Sequence, residues 1–222
     1  MTNATSHQRV ASCPVCHSST CEPFLYVGAK QYWRCQHCQA TYLDPAQLPD
    51  EAVEMAEYRL HCNEVDSDGY RQFLSRLCKP LLDRLSPNSA GLDYGCGPGP
   101  ALAAMLSEAG HRMTVYDPLF FNDELALKAQ YDFITCTEVA EHFHYPFEEF
   151  ERLDKRLNPG GVLAVMTRFQ TDDAAFANWH YRRDPTHVVF YREQTFQVIA
   201  QKHHWRCETA CPNVVFLHKP FD

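Results

Sequence analysis

The fold of this 222-residue chain is decided by residues 91–100, which read GLDYGCGPGP. A short β-prone run ends in three alternating glycines, Gly95, Gly97 and Gly99, and a helix-forming run begins at Ala101. Glycine lets the backbone turn sharply and approach a ligand closely, and open α/β sheets bind ligands at the carboxyl ends of their strands. The stretch therefore predicts a strand, a ligand-binding loop and a helix.

This loop differs from a dinucleotide-binding loop in its spacing and its charge. Single residues separate the glycines, and Pro98 and Pro100 limit how closely the following helix can cradle a pyrophosphate. Asp93 precedes the loop and suits a cationic partner, such as an amino or sulfonium group. Asp117 ends the next predicted strand, where a carboxylate can accept both hydroxyls of a ribose. The chain contains no Gly-Lys-Ser/Thr sequence, which excludes a P-loop.

Strand and helix patterns alternate along the rest of the chain, which predicts an α/β fold with a mostly parallel sheet. Strands are expected at residues 91–94, 113–116, 131–135, 162–167, 205–210 and 213–218. Helices are expected at residues 51–61, 68–85, 101–109, 146–157 and 192–203. The last two strands are joined by too few residues for a parallel crossover, so they are predicted to be antiparallel.

Composition and charge narrow the class of protein. The chain has 28 Asp and Glu against 20 Lys and Arg, a net charge of −8, and 45% hydrophobic residues. These values are typical of globular proteins, and the acidic balance supplies no overall basic field for nucleic acid. No apolar run approaches the ~18–20 residues of a membrane span, and the N-terminus does not resemble a signal peptide. We therefore expect a cytoplasmic protein.

Four of the 11 cysteines form two Cys-x-x-Cys pairs, Cys13 with Cys16 and Cys35 with Cys38, and 18 residues lie between the pairs. Two such pairs supply the four thiolates of a tetrahedral zinc ion. We predict a structural zinc in a small zinc-ribbon-like unit, residues 1–44, which we call the cysteine module. Four thiolates leave no open position for catalysis. A thioredoxin-like redox motif is the alternative, which the closeness of two pairs disfavours.

Four motifs in this order resemble class I S-adenosylmethionine-dependent methyltransferases. They are the glycine loop with its preceding acid (93–99), Asp117, the Glu-Val-Ala-Glu-His run (138–142) and Asn-Pro-Gly-Gly (158–161). The resemblance covers roughly residues 88–221 and is strongest to the branch with the ubiquinone-biosynthesis O-methyltransferases and small-molecule methyltransferases. It implies a Rossmann-like, seven-stranded, mostly parallel sheet with an antiparallel last strand.

The resemblance also implies how S-adenosylmethionine is bound. The loop glycines would contact the methionine part through their backbone, Asp93 would lie near its amino group and Asp117 would hold the ribose. The cofactor-binding candidates are Asp93, Gly95, Gly97, Gly99, Asp117, Pro118, Thr137 and Glu138. Only 13 residues separate Pro118 from Asp132, where the family places a helix and a strand, so we expect an abbreviated wall on the adenine side.

Glu138, Glu141 and His142 are spaced i, i+3 and i+4, which puts them on one face of a helix. In the ubiquinone O-methyltransferases, the matching residues bind a divalent ion that orients a catechol. The same run also occurs in relatives for which no metal is implied. The alternative interpretation has His142 lining the methyl-acceptor pocket and Glu141 solvated or structural.

A loop rich in aromatic and histidine residues follows the predicted strand at residues 162–167 and spans residues 176–191, which read FANWHYRRDPTHVVFY. Its Trp179, Tyr181 and Tyr191 could close an apolar pocket around the sulfonium cation. A hydroxyl or carbon acceptor needs a base, and the candidate catalytic residues are His142, His180 and His187. Alternatively, Asp184 and His187 only tie the loop down.

We predict three regions: the cysteine module, a helical linker or lid at residues 45–88 and a methyltransferase domain at 89–222. Tyr58, His61 and Asn63 are the candidate lid residues. The predicted function is S-adenosylmethionine-dependent O-, N- or C-methylation of a small molecule. One alternative is an RNA methyltransferase that docks RNA on the cysteine module. The other is a non-catalytic cofactor-binding or adaptor protein.

Overall fold

Two β-sheets organise the part of the chain that the computed structural model describes, residues 12–60 and 64–221. The elements are, in chain order, β1 (Cys21–Val27), β2 (Lys30–Cys35), β3 (Thr41–Leu43), α1 (Glu51–Tyr58), α2 (Asp68–Leu82), β4 (Ala90–Tyr94), α3 (Ala101–Glu108), β5 (Arg112–Tyr116), β6 (Tyr131–Thr137), α4 (Pro146–Arg156), β7 (Leu157–Met166), α5 (His180–Arg183), β8 (Val189–Phe190), α6 (Glu193–Lys202), β9 (Arg206–Cys211) and β10 (Val214–His218). Short 3₁₀ turns cover 45–47, 140–142 and 176–178.

The larger sheet has the strand order β5-β4-β6-β7-β10-β9. Strands β5, β4, β6 and β7 run parallel, and β10 is antiparallel to both of its neighbours. This arrangement confirms the predicted α/β fold with an antiparallel last strand. The last strand is antiparallel because its connection to β9 is a tight turn at Pro212 and Asn213.

The expected count of seven strands is wrong for the described residues, in which this sheet has six. The missing strand would lie beyond β5. Between Asp117 and Tyr131 the chain forms turns and one isolated bridge, from Asp117 to Phe121. So short a segment cannot hold both a crossover helix and a strand, which leaves β5 at the edge.

Helices cover both faces of this sheet because its side chains alternate between them. Phe133 and Ala164 pack with the apolar faces of α2 and α3. Ile134, Leu163 and Val165 point to the opposite face, into the core that also holds α4 and α6. The carboxyl ends of β4, β5 and β6 therefore open at one edge of a three-layer structure, where ligands bind in such sheets.

The smaller sheet has the order β1-β2-β3-β8, with antiparallel pairing throughout. Its first three strands belong to the cysteine module, but β8 comes from the aromatic–histidine loop and pairs Phe190 with Thr41 and Val189 with Tyr42. The module and the larger sheet also share one hydrophobic core. The predicted boundaries at residues 44 and 88 stay a prediction.

Within residues 12–60 and 64–221, no helix combines the length and apolar character that crossing a bilayer requires.

Candidate active site

The glycine loop follows β4 in a backbone conformation that favours glycine. Gly95 has φ +75° and Gly97 has φ +63°, both in the left-handed region. A Cβ at Gly95 would lie 2.6 Å from the Cγ atoms of Val139, so the loop packs directly on the turn after β6. Gly99 is buried and its carbonyl accepts a hydrogen bond from the N–H of Ala101 at the start of α3.

Asp117 connects the end of β5 to the glycine loop. Its Oδ2 accepts a hydrogen bond from the N–H of Gly97 at 3.0 Å. Its Oδ1 accepts from the N–H groups of Leu119 at 2.9 Å and Phe120 at 3.1 Å. A carboxylate offers about four acceptor positions, so one on Oδ2 remains for a ligand hydroxyl.

Asp93 lies beneath the loop rather than on the cavity described below. It is buried, and its Oδ1 accepts a 2.7 Å hydrogen bond from the hydroxyl of Thr135 in β6. Burial raises the pKa of Asp93 to about 6, although the Thr135 hydrogen bond acts in the opposite direction. Asp93 thus connects two strands in this structure, and its predicted contact with a cofactor amino group stays a prediction.

A cavity of about 860 Å³ opens over the carboxyl ends of β4, β5 and β6. This volume is in the range of small-molecule sites. Of the residues predicted from the sequence, it brings together Gly95, Gly97, Asp117, Pro118, Thr137, Glu138, His142 and His187. Asp93, Gly99 and His180 are outside its lining. His180 is exposed, with Nε2 2.9 Å from Nη1 of Arg168, so the structure does not support it as a base.

Helices α1 and α2 form the outer wall of the cavity through Glu54, Tyr58, Tyr70 and Phe73, among others. The Tyr58 ring lies 5.3 Å from the ring of His142. The role of this segment as a lid stays a prediction. The other two lid candidates, residues 61 and 63, lie outside the described residues.

Three potential ligand groups converge at the inner end of the cavity. One carboxylate oxygen of Glu141 and one ring nitrogen each of His142 and His187 lie within 4.8 Å of one another. His142 Nδ1 is 3.1 Å from the carbonyl of Thr186, and His187 Nδ1 is 2.6 Å from the carbonyl of Tyr181. A carbonyl only accepts, so each Nδ1 carries a proton, and in the neutral form of either ring Nε2 is the nitrogen without one.

Glu141 is completely buried, which contradicts a solvated position. Its Oε1 accepts a hydrogen bond from the hydroxyl of Tyr181, and its Oε2 has no hydrogen-bond partner among the described residues. Burial, and then the neighbouring Glu138 carboxylate, raise the pKa of Glu141 to about 8. Burial also raises the pKa of Glu138 to about 7.

The aromatic residues of the 176–191 loop do not line the cavity, contrary to expectation. Trp179 packs on Phe190, and the hydroxyl of Tyr191 donates to the carbonyl of Ala140. Tyr181 is buried with its hydroxyl at Glu141. These rings pack under the loop, away from the cavity, because the pairing of β8 with β3 holds the loop against the cysteine module.

The sequence analysis missed several cavity residues, among them Tyr94, Tyr116, Glu149 and Arg152. The rings of Tyr94 and Tyr116 stack at 5.4 Å, and the Tyr94 hydroxyl donates to Glu149 Oε2 at 2.5 Å. Both tyrosines are the last residues of their strands, directly before Gly95 and Asp117, and this position was the available signal.

The four predicted metal-ligating cysteines lie together, with all sulfurs within 4.8 Å of one another. The Cys13 and Cys38 sulfurs are 3.7 Å apart, and those of Cys16 and Cys35 are 3.6 Å apart. Zn–S bonds of about 2.3 Å in a tetrahedron place sulfurs about 3.8 Å apart, so the spacing fits zinc. It is far longer than a disulfide bond of about 2 Å.

The two cysteine pairs have matching backbone turns. His17 and Gln39, each directly after the second cysteine of a pair, have left-handed φ angles of 57° and 63°. Their N–H groups donate to the carbonyls of Cys13 and Cys35, the first cysteines of the pairs. The repeated turn presents two sulfurs from each pair to a common point.

Comparisons with known proteins agree with this geometry. A sequence model described as a methyltransferase domain matches residues 69–210. The chain belongs to this methyltransferase family. The resemblance to methyltransferases that four motifs carried is thereby confirmed, and so is the prediction that the protein is an enzyme. No curated protein matches this methyltransferase in sequence.

Solved structures resemble this methyltransferase in fold. A Burkholderia thailandensis 1,6-didemethyltoxoflavin-N1-methyltransferase is 17% identical, with a TM-score of 0.54 over 90% of this chain and 99% of that chain. An O-methyltransferase family protein from the same organism is 14% identical, with a TM-score of 0.46 over 69% and 59%. The magnesium protoporphyrin IX methyltransferase of Synechocystis PCC 6803 is 16% identical, with a TM-score of 0.49 over 76% and 92%. The match thus spans 59% of the length of the O-methyltransferase family protein.

Proposed function

We propose that this methyltransferase transfers the methyl group of S-adenosylmethionine to a small molecule bound beside His142 and His187. The observation that carries the proposal is one cavity with the glycine loop and Asp117 at one end and the two histidines at the other. The 1,6-didemethyltoxoflavin-N1-methyltransferase that shares the fold was solved with 1,6-didemethyltoxoflavin and S-adenosylhomocysteine bound.

The cofactor end fits an adenosyl sulfonium. Gly95 and Gly97 expose backbone without side chains, and Asp117 keeps one acceptor position for a ribose hydroxyl. The hydroxyl of Thr137 is buried without a hydrogen-bond partner among the described residues, so a bound ligand can satisfy it. Pro118 and Glu138 complete this wall, whereas Asp93 and Gly99 act by supporting the loop.

The charge of the cavity favours a small acceptor over RNA. Among the described residues, six carboxylates and one guanidinium, that of Arg152, line it. RNA binding depends on basic groups that neutralise phosphates, and an acidic lining repels them. The RNA methyltransferase alternative predicts a basic rim and is therefore disfavoured.

The reaction is displacement at the sulfonium methyl: the acceptor nucleophile forms a bond to carbon, and the C–S electron pair goes to sulfur to give S-adenosylhomocysteine. The chain aligns the two molecules and excludes water. The unprotonated Nε2 of His187 or His142 can take the acceptor proton. Asp184 Oδ2 lies 3.7 Å from His187 Nε2 and stabilises the imidazolium that results.

Glu141, His142 and His187 also fit a divalent cation. Oε2 of Glu141 has no hydrogen-bond partner in the described part of the chain, and each histidine donates its Nδ1–H to a carbonyl, as metal-binding histidines commonly do. A cation there would supply Lewis-acid polarisation of an acceptor oxygen. A nitrogen that binds a cation cannot also take a proton. Dialysis against a chelator distinguishes the two roles. If the dialysed protein still binds S-adenosylhomocysteine but has lost turnover, and Mg²⁺ or Mn²⁺ restores that turnover, the site holds a cation rather than a base.

The cysteine module is proposed to bind one structural zinc through Cys13, Cys16, Cys35 and Cys38. Their spacing supports this assignment. A reducing compartment keeps such thiolates available for zinc, so we propose a cytoplasmic location. Elemental analysis of the purified protein should return about one zinc per chain, and a zinc-free folded chain would contradict the proposal.

Calorimetry with S-adenosylmethionine and S-adenosylhomocysteine tests the function. We expect Asp117→Ala to weaken binding at least about tenfold, because it removes the ribose acceptor and the tie to Gly97. Glu124→Ala, at an exposed acid in the following segment, is the matched control and should bind like the wild type. A wild type that binds neither compound would refute the proposal. Binding without turnover across acceptor classes would instead indicate the non-catalytic alternative.

A further inference from the structure

We infer that the cysteine module is a positioning element of the acceptor site, and that β3 holds His187 in place through Val188. This inference rests on the proposed function of the same cavity. The module was predicted as a separate unit with a structural ion. Three observations connect it to the inner end of the cavity.

The first observation is a pair of hydrogen bonds at Val188. Its N–H donates to the carbonyl of Glu141 at 2.9 Å, and its carbonyl accepts from the N–H of Leu43 at 2.8 Å. Val188 directly follows His187, and Glu141 directly precedes His142. One residue therefore bridges the cysteine module and the turn that carries two of the three convergent groups.

The second observation is the pairing of β8. This strand has only two residues, Val189 and Phe190, and its ladder partner is β3. A strand so short has little stability without its partner. Strand β3 begins three residues after Cys38, and Cys35 N–H bonds to the carbonyl of Ala40 between them. The cysteine turn therefore sets the position of β3, and β3 sets that of β8.

The third observation is the attachment of the loop before His187. The Phe176 ring meets the rings of Phe24 and Tyr32 of the module edge-on at 5.3 and 5.0 Å. Arg34 of the module donates to Asp173 at 2.8 Å. The loop that carries His187 is thus fixed to the module at both ends.

The cofactor-binding end of the cavity is held by contacts within the larger sheet and its loops. The glycine loop is bonded to Tyr116 and Asp117 and packs on Val139, all in the larger sheet and its loops. A disturbed cysteine module should therefore move His187 and leave cofactor binding intact. This separation distinguishes a positioning element from a general source of stability.

The test removes one backbone hydrogen-bond donor, the N–H of Leu43. Leu43→Pro removes the donor to Val188, while Leu43→Ala keeps it and removes the side chain. In protein labelled with ¹⁵N-histidine, the imidazole signals of His187 are assigned with His187→Gln. We expect Leu43→Pro to shift them from the fixed tautomer toward an average of both, and Leu43→Ala to leave them in place. Calorimetry should give Kd values for S-adenosylhomocysteine within about twofold of the wild type in both.

A second measurement covers the case in which Leu43→Pro does not fold. Stripping metal from the wild type with a chelator should shift the same signals, and one equivalent of zinc should restore them where Mg²⁺ or Mn²⁺ does not, with S-adenosylhomocysteine affinity unchanged. Unmoved His187 signals in the folded proline variant or in the stripped protein would overturn the inference. So would a loss of S-adenosylhomocysteine binding on stripping, since that indicates general unfolding. A wild type that never binds this compound would refute the proposed function, while the His187 signals still test the positioning.

Discussion

Glu138 combines an unfavourable backbone with a position on the cavity. Its φ of +53° is left-handed, which costs a non-glycine residue about 1–2 kcal/mol. The conformation persists because its N–H donates at 2.7 Å to the carbonyl of Met166, extending the pairing of β6 with β7. Such residues concentrate at functional sites, where the surroundings hold them. The turn at Glu138 directs the chain across the cavity.

Replacing Glu138 separates its backbone strain from its carboxylate. Glu138→Gly relieves the left-handed conformation, whereas Glu138→Ala keeps it, and both remove the carboxylate. We expect the glycine variant to be more stable than the alanine variant by about 1 kcal/mol in urea unfolding. Equal stabilities would show that the φ angle carries no strain.

Asp93 predicts a dependence of stability on pH. Its pKa is about 6 in the folded protein against an ordinary value of 3.8, so the folded state binds more protons between these values. The wild type should therefore lose roughly 2–3 kcal/mol from this group as the pH rises from 4 to 7. In Asp93→Asn, whose side-chain oxygen can still accept from Thr135, this loss should disappear. Urea unfolding at both pH values measures it, and parallel pH profiles would contradict the assignment.

At the scale of elements, the glycine loop and the turn after β6 are fitted to each other. Gly95 is left-handed and has no room for a Cβ beside Val139, while a Cβ at Gly97 would meet nothing within 4 Å. The two glycines are therefore required for different reasons. At Gly95 both space and conformation matter, and at Gly97 only conformation does.

A double-mutant cycle tests this contact. Gly95→Ala should destabilise the fold by roughly 2–4 kcal/mol, from overlap plus strain, and Gly97→Ala by about 1 kcal/mol, from strain alone. Adding Val139→Ala should recover more than about 1 kcal/mol in the Gly95→Ala background. Strictly additive unfolding free energies would mean that the overlap is absent.

At the scale of the whole molecule, the two sheets depend on each other. The match to the methyltransferase family ends at residue 210 and begins at 69, so the family region excludes the cysteine module. Yet β8 lies within that region and completes the sheet of the module. Phe176 and Phe190, both fully buried, pack against module residues such as Tyr32.

Deleting residues 1–44 should therefore damage the remaining methyltransferase. The fragment 45–222 exposes Phe176 and Phe190, each worth about 1.5–3 kcal/mol when buried, and leaves β8 without its partner. We expect its Tm to fall by at least about 10 °C below that of the full chain, or folding to be lost. A fragment that melts at the temperature of the full chain would indicate an independent module.

The glycine loop, the acid after the next strand and the cysteine pairs were recognisable from local spacing alone. Each depends on residues that are neighbours along the chain, where backbone conformation and donor spacing restrict what a motif can do. Gly95, Gly97, Asp117 and Thr137 could be expected at one cavity because parallel strands end at the same edge of a sheet. Asp93 shows the limit of this reasoning, since a side chain in a strand end can face either of two layers.

The other features of the site depend on packing between residues that are far apart in the chain. His187 joins Glu141 and His142 because β8 pairs with a strand nearly 150 positions earlier in the chain. No local pattern encodes that pairing, and it also turns the aromatic residues of the loop away from the cavity. Likewise, the hydrogen bond from Tyr94 to Glu149 joins the end of β4 to α4, and the two residues lie 55 positions apart in the chain. Spacing along the chain specifies motifs, whereas the distance between motifs depends on how two hydrophobic faces pack, which involves residues from the entire fold.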